Sequence, residues 1–260
     1  RPTPGPTPPD ATHIVVDMTE FLRFPKVVEW LIRQGVDDPV DGNLTTAQQG
    51  ALLKYLPAKL TIDIDPEAVA GSLGAVAGEG YVTFNIYQDW RVDDSSTDIA
   101  SWTIVMTLTG ELKQVAPARS VNAKGMTHWC GMKNFNEDQL LLVSSSNFSA
   151  SGHAFKWDWR NDVYTRIGGD TQLFGCHDIQ WSSVMGEDAF WTPEAEYGCS
   201  YNNNVTLWDA ATGEARRTIG TGYAACKPDT NHAQLLENDT HALLSFRAIS
   251  AFAMYRVGRF

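Results

Sequence analysis

Three histidines, His128, His177 and His232, each stand at the head of a stretch that reads as a strand, and they follow one another at 49 and 55 residues. Thr127-His128-Trp129 leads to Gln139–Ser144 and Ala154–Trp159. Cys176-His177-Asp178 leads to Asp188–Trp191 and Val205–Asp209. Asn231-His232 leads to Leu243–Arg247 and Ala251–Tyr255. Apolar residues alternate with polar ones in these runs, the period of a strand with one buried face. A unit of several short strands cannot cover both of its own faces, so such units must stack on one another. Self-similarity at 40–50 residues is the pattern of a β-propeller, in which the first strand of each blade lines the central channel. The spacing therefore predicts that the three histidines gather toward one end of that channel. Within the last unit, Glu237 to Thr240 form a polar turn. The resulting hairpin brings His232 and Arg247 back to the same end.

The period of two begins near Gly71, with Tyr81–Tyr87 and Trp102–Leu108 as its first strands and Thr109-Gly110-Glu111 as a tight turn. Residues 71–260 are expected to form about four blade-like units. Residues 1–10 hold five prolines and read as a linker or tail that does not pack. Residues 11–70 read as a small helical segment. Pro25 opens one helix, with Val27, Val28, Leu31 and Ile32 on a face and Gly35 at its end. Thr45 or Thr46 caps a second, bearing Leu52, Leu53 and Leu56 and stopped by Pro57. Between them, Asp37 to Gln48 looks like a degraded EF-hand loop aligned on Gly42. Pro39 occupies a ligand position, and Gln48 stands where a bidentate glutamate is expected. An ordinary helical hairpin with a polar turn is the expected reading.

A formal charge of −11 with no Lys/Arg run argues against nucleic acid or an anionic membrane as partner. No apolar run reaches the roughly 18 residues a membrane span needs. Four sequons, at Asn43, Asn147, Asn204 and Asn238, and four cysteines, Cys130, Cys176, Cys199 and Cys226, point to a secreted glycoprotein with disulfides. The cysteines lack zinc-type spacing. Of the three possible pairings, Cys130–Cys176 with Cys199–Cys226 is preferred.

His177-Asp178 before a strand, Trp208-Asp209-Ala210-Ala211-Thr212-Gly213-Glu214, Asp229-Thr230-Asn231-His232 and Leu243-Leu244-Ser245-Phe246-Arg247 together resemble the arylsulfate sulfotransferase family. The resemblance spans residues 75–260 and is most specific over 177–256. It implies a six-bladed propeller in which His232 is the nucleophile that takes a sulfuryl group and Arg247 grips its oxygens. His177 adds a further sulfuryl-binding group. Substrate contacts then fall to His128 and to aromatic residues near the channel mouth, Trp181 and Phe246 foremost, with Trp129 and Trp191 also eligible. The mechanism it implies takes an aryl sulfate as donor and a phenol as acceptor. It calls for no nucleotide, metal or other cofactor. Gln234 departs from the family, which has Asn there. The blade-like units also number fewer than six, so a second chain, further sequence or a smaller ring is needed for closure. A propeller kept only as an extracellular binding or structural module is the alternative. His13, His153 and His241 carry no partner pattern and read as surface or loop residues. Trp157-Asp158-Trp159 and Trp208-Asp209 read as packing groups.

Overall fold

The computed structural model describes residues 12–37, 44–64, 80–89, 99–118, 127–134, 138–146, 151–170, 172–175, 178–193, 204–220, 230–236, 238–246 and 251–256. For a few strand ends, including His128, Cys130, His232 and Phe246, only the backbone belongs to this description. The chain is mainly β, built of antiparallel sheets with three short helices among the described residues, and divides into two compact units, Arg1–Pro117 and Ala118–Phe260. Among the described residues no helix is long and apolar enough to cross a membrane.

In the first unit, β1 (Thr12–Asp17) and β2 (Lys59–Ile64) pair along their whole length and bracket α1 (Met18–Phe21), α2 (Pro25–Arg33) and α3 (Thr46–Leu52). Pro25 does open α2, because its missing N–H falls where a helix has no partner for one. Thr45 caps α3 in a reciprocal box. Its hydroxyl accepts from Gln48 N–H at 3.2 Å, and Gln48 Oε1 accepts from Thr45 N–H at 2.9 Å. Gln48 is therefore a capping residue here. The central residues of the EF-hand-like loop, 38–43, lie outside the described residues.

The two-stranded sheet was not foreseen in a segment read as helical. Its signal is six residues long: Ile14 and Val16 buried, alternating with exposed His13, Val15 and Asp17. A three-stranded meander follows, β3 (Tyr81–Asp89), β4 (Ile99–Thr107) and β5 (Leu112–Pro117). The sequence drew its boundary near residue 70, whereas the packing divides the chain after Pro117. One core accounts for the difference. Phe21, Val27, Leu31, Leu52 and Leu56 share it with Trp102, Ile104 and Met106 of β4. Trp102 donates to Tyr55 O at 2.9 Å, and Trp30 meets its ring edge-on at 5.0 Å. The Thr109-Gly110-Glu111 turn forms as expected. Gly110 has a φ of 93°, and a Cβ there would stand 2.5 Å from Ile14, so only glycine fits.

The second unit stacks three sheets in chain order. The first runs β6 (Thr127–Asn134), β7 (Gln139–Ser146), β8 (Ser151–Asp158), with β9 (Val163–Ile167) and β10 (Phe174–Gly175) both pairing with β8. The second runs β11 (Gln180–Ser182), β12 (Gly186–Pro193), β13 (Asn204–Asp209) and β14 (Ala215–Gly220). The third runs β15 (Thr230–Leu236), β16 (His241–Phe246) and β17 (Ala251–Arg256). The second sheet is covered on both faces. Phe190 and Trp208 join Leu141, Val143, Ile167 and Phe174 of the first. Ala189, Trp191, Val205 and Leu207 join Ala233, Leu235, Ala242 and Leu244 of the third. This explains the unbroken buried runs Ala189–Pro193 and Val205–Trp208, since a sheet covered on both sides loses its polar face. Trp157, Trp159 and Trp208 are buried, as packing residues should be.

A buried carboxylate helps tie the third sheet to the second. Asp239, in the β15–β16 turn, is fully buried at a φ of 59° beside Asn238 at 56°. Short amide and acid side chains tolerate that left-handed backbone better than other residues. The Asp239 carboxylate accepts from the hydroxyls of Ser182 and Ser183, from Ser183 N–H at 3.1 Å and from Trp191 Nε1 at 3.1 Å. Burial pushes its pKa up, and these donors more than offset the push, so the carboxyl sits below its ordinary value. Its contribution to stability is accordingly present above the unfolded-state pKa of about 3.9 and lost as pH falls through the folded-state value. Asp239→Ala takes the acceptor from four donors, those of Ser182 and Trp191 buried, and should cost about 3 kcal/mol. Urea unfolding monitored by tryptophan fluorescence tests it, and a loss below about 1 kcal/mol would show the contact to be dispensable.

Candidate functional site

The expected gathering of histidines depends on where β6, β11 and β15, the first strands of the three sheets, lie. β11 and β15 run side by side. Asp178 Oδ2 accepts from Ala233 N–H at 3.3 Å. Gln180 closes two bonds on Leu235, its Oε1 accepting from the N–H at 2.7 Å and its Nε2 donating to the carbonyl at 3.2 Å. Each of these contacts joins residues 55 apart, the same interval that separates His177 from His232. On the other side, Trp181 Nε1 donates to Asn134 O at the end of β6, across 47 residues. β11 and β15 are thus neighbours, while β11 reaches the far end of β6 through the Trp181 side chain.

Two of these strands present their histidine in related settings. In β6, His128 lies opposite Ser145, and Cys130 is the extra residue of a one-residue bulge between Trp129 and Gly131. In β15, His232 lies opposite Ser245, and Asn231 is the extra residue of a bulge between Thr230 and His232. Bulges re-aim the side chains next to them and recur beside active sites. The polar groups that hold β15 to β11 act on Ala233 and Leu235, the first and third residues after His232. They fix the backbone on which His232 is carried.

His177, Arg247, Cys176, Cys199, Cys226, Asn43 and Asn147 lie outside the described residues, as do the side chains of His128, Cys130, His232 and Phe246. Phe246 closes β16 opposite Thr230, at the end of the hairpin where β15 begins. Asn238 is exposed in the β15–β16 turn, and Asn204 is half-buried at the start of β13.

Trp181 is engaged in packing. Its indole N–H is committed to Asn134 O at 2.6 Å, and its ring meets Phe190 edge-on at 6.0 Å. Trp191 is buried against the third sheet and bonded to Asp239, so the fold withdraws it from any substrate. Asp209 of the Trp208-Asp209 pair accepts from Thr212 N–H at 2.7 Å, from Arg216 Nε at 3.0 Å and from Ala211 N–H at 2.8 Å. Those donors, the Thr212 amide first, hold its carboxyl far below the usual range. It shapes a turn and ties down β14.

His153 departs from the surface role expected of it. It is half-buried on β8, and its Nδ1 is shared by Arg166 and Gln172. Its signal in the sequence was position, the third residue of a strand with Arg166 thirteen residues on, and that signal means nothing until β8 and β9 pair. Gln180 and Asp239 were missed for a similar reason. Both are polar residues that look solvent-facing along the chain, and both meet a neighbouring sheet 55 to 57 residues away.

No family model matches the chain, nor does any curated protein. Among solved structures, a protein of unknown function from Bacteroides caccae aligns with a TM-score of 0.41 at 9% identity, over 79% of this chain and 62% of that one. A Bacteroides fragilis protein provisionally named a 6-phosphogluconolactonase gives 0.41 at 11% identity, over 69% and 49%. A europium-containing methanol dehydrogenase gives 0.36 at 10% identity, over 78% and 45%. The chain spans about half to three-fifths of the length of these structures.

Gln180→Ala removes both bonds to Leu235 and should accelerate exchange of the Leu235 amide about fivefold, one lost hydrogen bond being worth about 1 kcal/mol. Hydrogen exchange read residue by residue checks it. An unchanged Leu235 rate would mean that the apolar core between the sheets holds β15 unaided.

Proposed function

We propose that the second unit is part of a β-propeller whose blades are its three stacked sheets, and that its activity is transfer of a sulfuryl group from an aryl sulfate to a phenol. The observation that carries this reading is the juxtaposition of β11 and β15 at an offset of 55 residues, the spacing of His177 and His232. The resemblance of residues 177–256 to arylsulfate sulfotransferases supplies the chemistry. In this reading the neutral imidazole of His232 attacks sulfur, an N–S bond forms, and the S–O bond to the aryl group breaks with departure of a phenolate. A phenol, surrendering its proton, then takes the group from the sulfohistidine and returns the imidazole. Negative charge is spread over three sulfuryl oxygens throughout, and Arg247 with the His177 ring supplies fixed donors to them. The four sequons and four cysteines belong with this reading as features of a secreted, disulfide-bonded glycoprotein.

A second reading is that the chain is a binding or structural module outside the cell. It is favoured by the use of Trp181 and Trp191 as packing groups, which leaves fewer aromatic side chains to grip an aryl substrate. One experiment separates the two. The purified protein and His232→Ala are each mixed with p-nitrophenyl sulfate, and intact mass and nitrophenol release are followed. The transferase reading expects a gain of about 80 Da, one SO3, on the native chain only, with nitrophenol released. A folded protein that gains no mass and releases no nitrophenol would leave the binding module standing.

A further inference from the structure

His153 Nδ1 has two claimants that ask opposite things of it. Arg166 Nη2 lies 2.7 Å away, and the carbonyl oxygen of Gln172 lies 3.0 Å away. A guanidinium only donates and a carbonyl only accepts. A bare Nδ1 therefore accepts from Arg166, and a protonated Nδ1 donates to Gln172. The two bonds are alternatives, and a proton selects between them.

What hangs on the choice is the connection from β9 to β10. Arg166 also donates to Asp170 Oδ1 at 2.9 Å and to Gly169 O at 2.8 Å, so it holds the connection at two points beyond His153. Gln172 N–H closes the same loop on Gly169 O at 3.1 Å. The loop abuts the second sheet. Gly168 and Gly213, both at positive φ (76° and 74°), touch so closely that a Cβ on Gly213 would stand 2.6 Å from Gly168 Cα. Just beyond, Gly175 lies against Pro193 O with no room for a Cβ, and Phe174 packs on Trp208 at 5.0 Å. The segment that Arg166 pins is thus the joint between the first and second sheets.

We propose that His153 is a proton-operated latch on that joint. Neutral, with its one proton on Nε2, it accepts from Arg166 and completes the set of bonds that holds the loop. Protonated, it turns its Nδ1–H to Gln172 O and repels the guanidinium, and the arginine is left to Asp170 and Gly169 alone. The groups facing His153 set the direction. From β9 comes the Arg166 cation and from the loop the Asp170 carboxylate. Ser144, its partner on β7, is uncharged, as is Phe174 of β10, which pairs with the adjacent Gly152. Burial first, and Arg166 second, lower the His153 pKa below its ordinary value of 6.5. The folded state thus prefers the neutral ring. The latch contributes fully above the unfolded-state pKa of about 6.5 and is lost as pH falls through the lower folded-state value.

Amide hydrogen exchange of the native protein and of His153→Gln, corrected for intrinsic rates, tests this from pH 7.5 to 5. Glutamine offers a donor and an acceptor but does not titrate. In the native protein the Gln172 amide should lose about tenfold in protection over this range, while the β13 amides keep theirs. In His153→Gln the loss should be absent. Should the variant fail to fold, an NMR titration of the His153 ring in the native protein decides alone. A folded-state pKa above 6.5, or the same loss of protection in both proteins, would overturn the latch.

Discussion

A sheet buried on both faces can keep its place only if something on each side fills the space, and the β11–β14 sheet is held under that condition. Phe190 and Trp208 leave it in one direction and Trp191 and Leu207 in the other. Each of the larger side chains stabilises by about 2–3 kcal/mol when enclosed, but only while its neighbouring sheet is in position. The first and third sheets therefore depend on the second. The few polar groups between sheets do the aligning that apolar contact cannot. Asp239 collects Ser182, Ser183 and Trp191, and Gln180 mimics a strand edge for Leu235. Hydrophobic contact is indifferent to a small slide, and these bonds are not.

The first strands inherit their positions from this stacking. β15 is the first strand of the last sheet, and the side chains of Asp178 and Gln180 occupy backbone groups along its outer edge. Free N–H and C=O groups on such an edge invite another strand to pair. Meeting them with side chains satisfies them without a further strand. The bulges at Cys130 and Asn231 belong to the same economy of space, since each turns the strand just where a histidine is carried.

Glycine and histidine at the joint between the first two sheets illustrate a different use of close packing. Gly168, Gly175 and Gly213 bring backbone against backbone with no side chain between. With no side chain to hold such a contact, other groups must fix the loop. That task falls to Arg166, whose reach across His153, Gly169 and Asp170 couples a titrating ring to the seam.

Much of the strand pattern was legible in the chain. Gln139–Ser144, Ala154–Trp159, Val205–Asp209 and Ala251–Tyr255 alternate or run apolar between turn residues, and short-range chemistry is enough to place them. Pro25 and the Thr45–Gln48 box mark helix starts by the same local logic. The 55-residue spacing of His177 and His232 announced a repeat. What the sequence did not contain was the partner of each polar residue. Asp239 reads as one more acid in an Asn-Asp-Thr turn, Trp191 as an eligible aromatic, and His153 as a surface ring. Their roles depend on residues 13 to 57 positions away, which meet only after the sheets stack. The division after Pro117 was decided in the same way. The period of two begins earlier, but β4 gives Trp102, Ile104 and Met106 to the helices, and the sharing of one core is a property of packing in three dimensions.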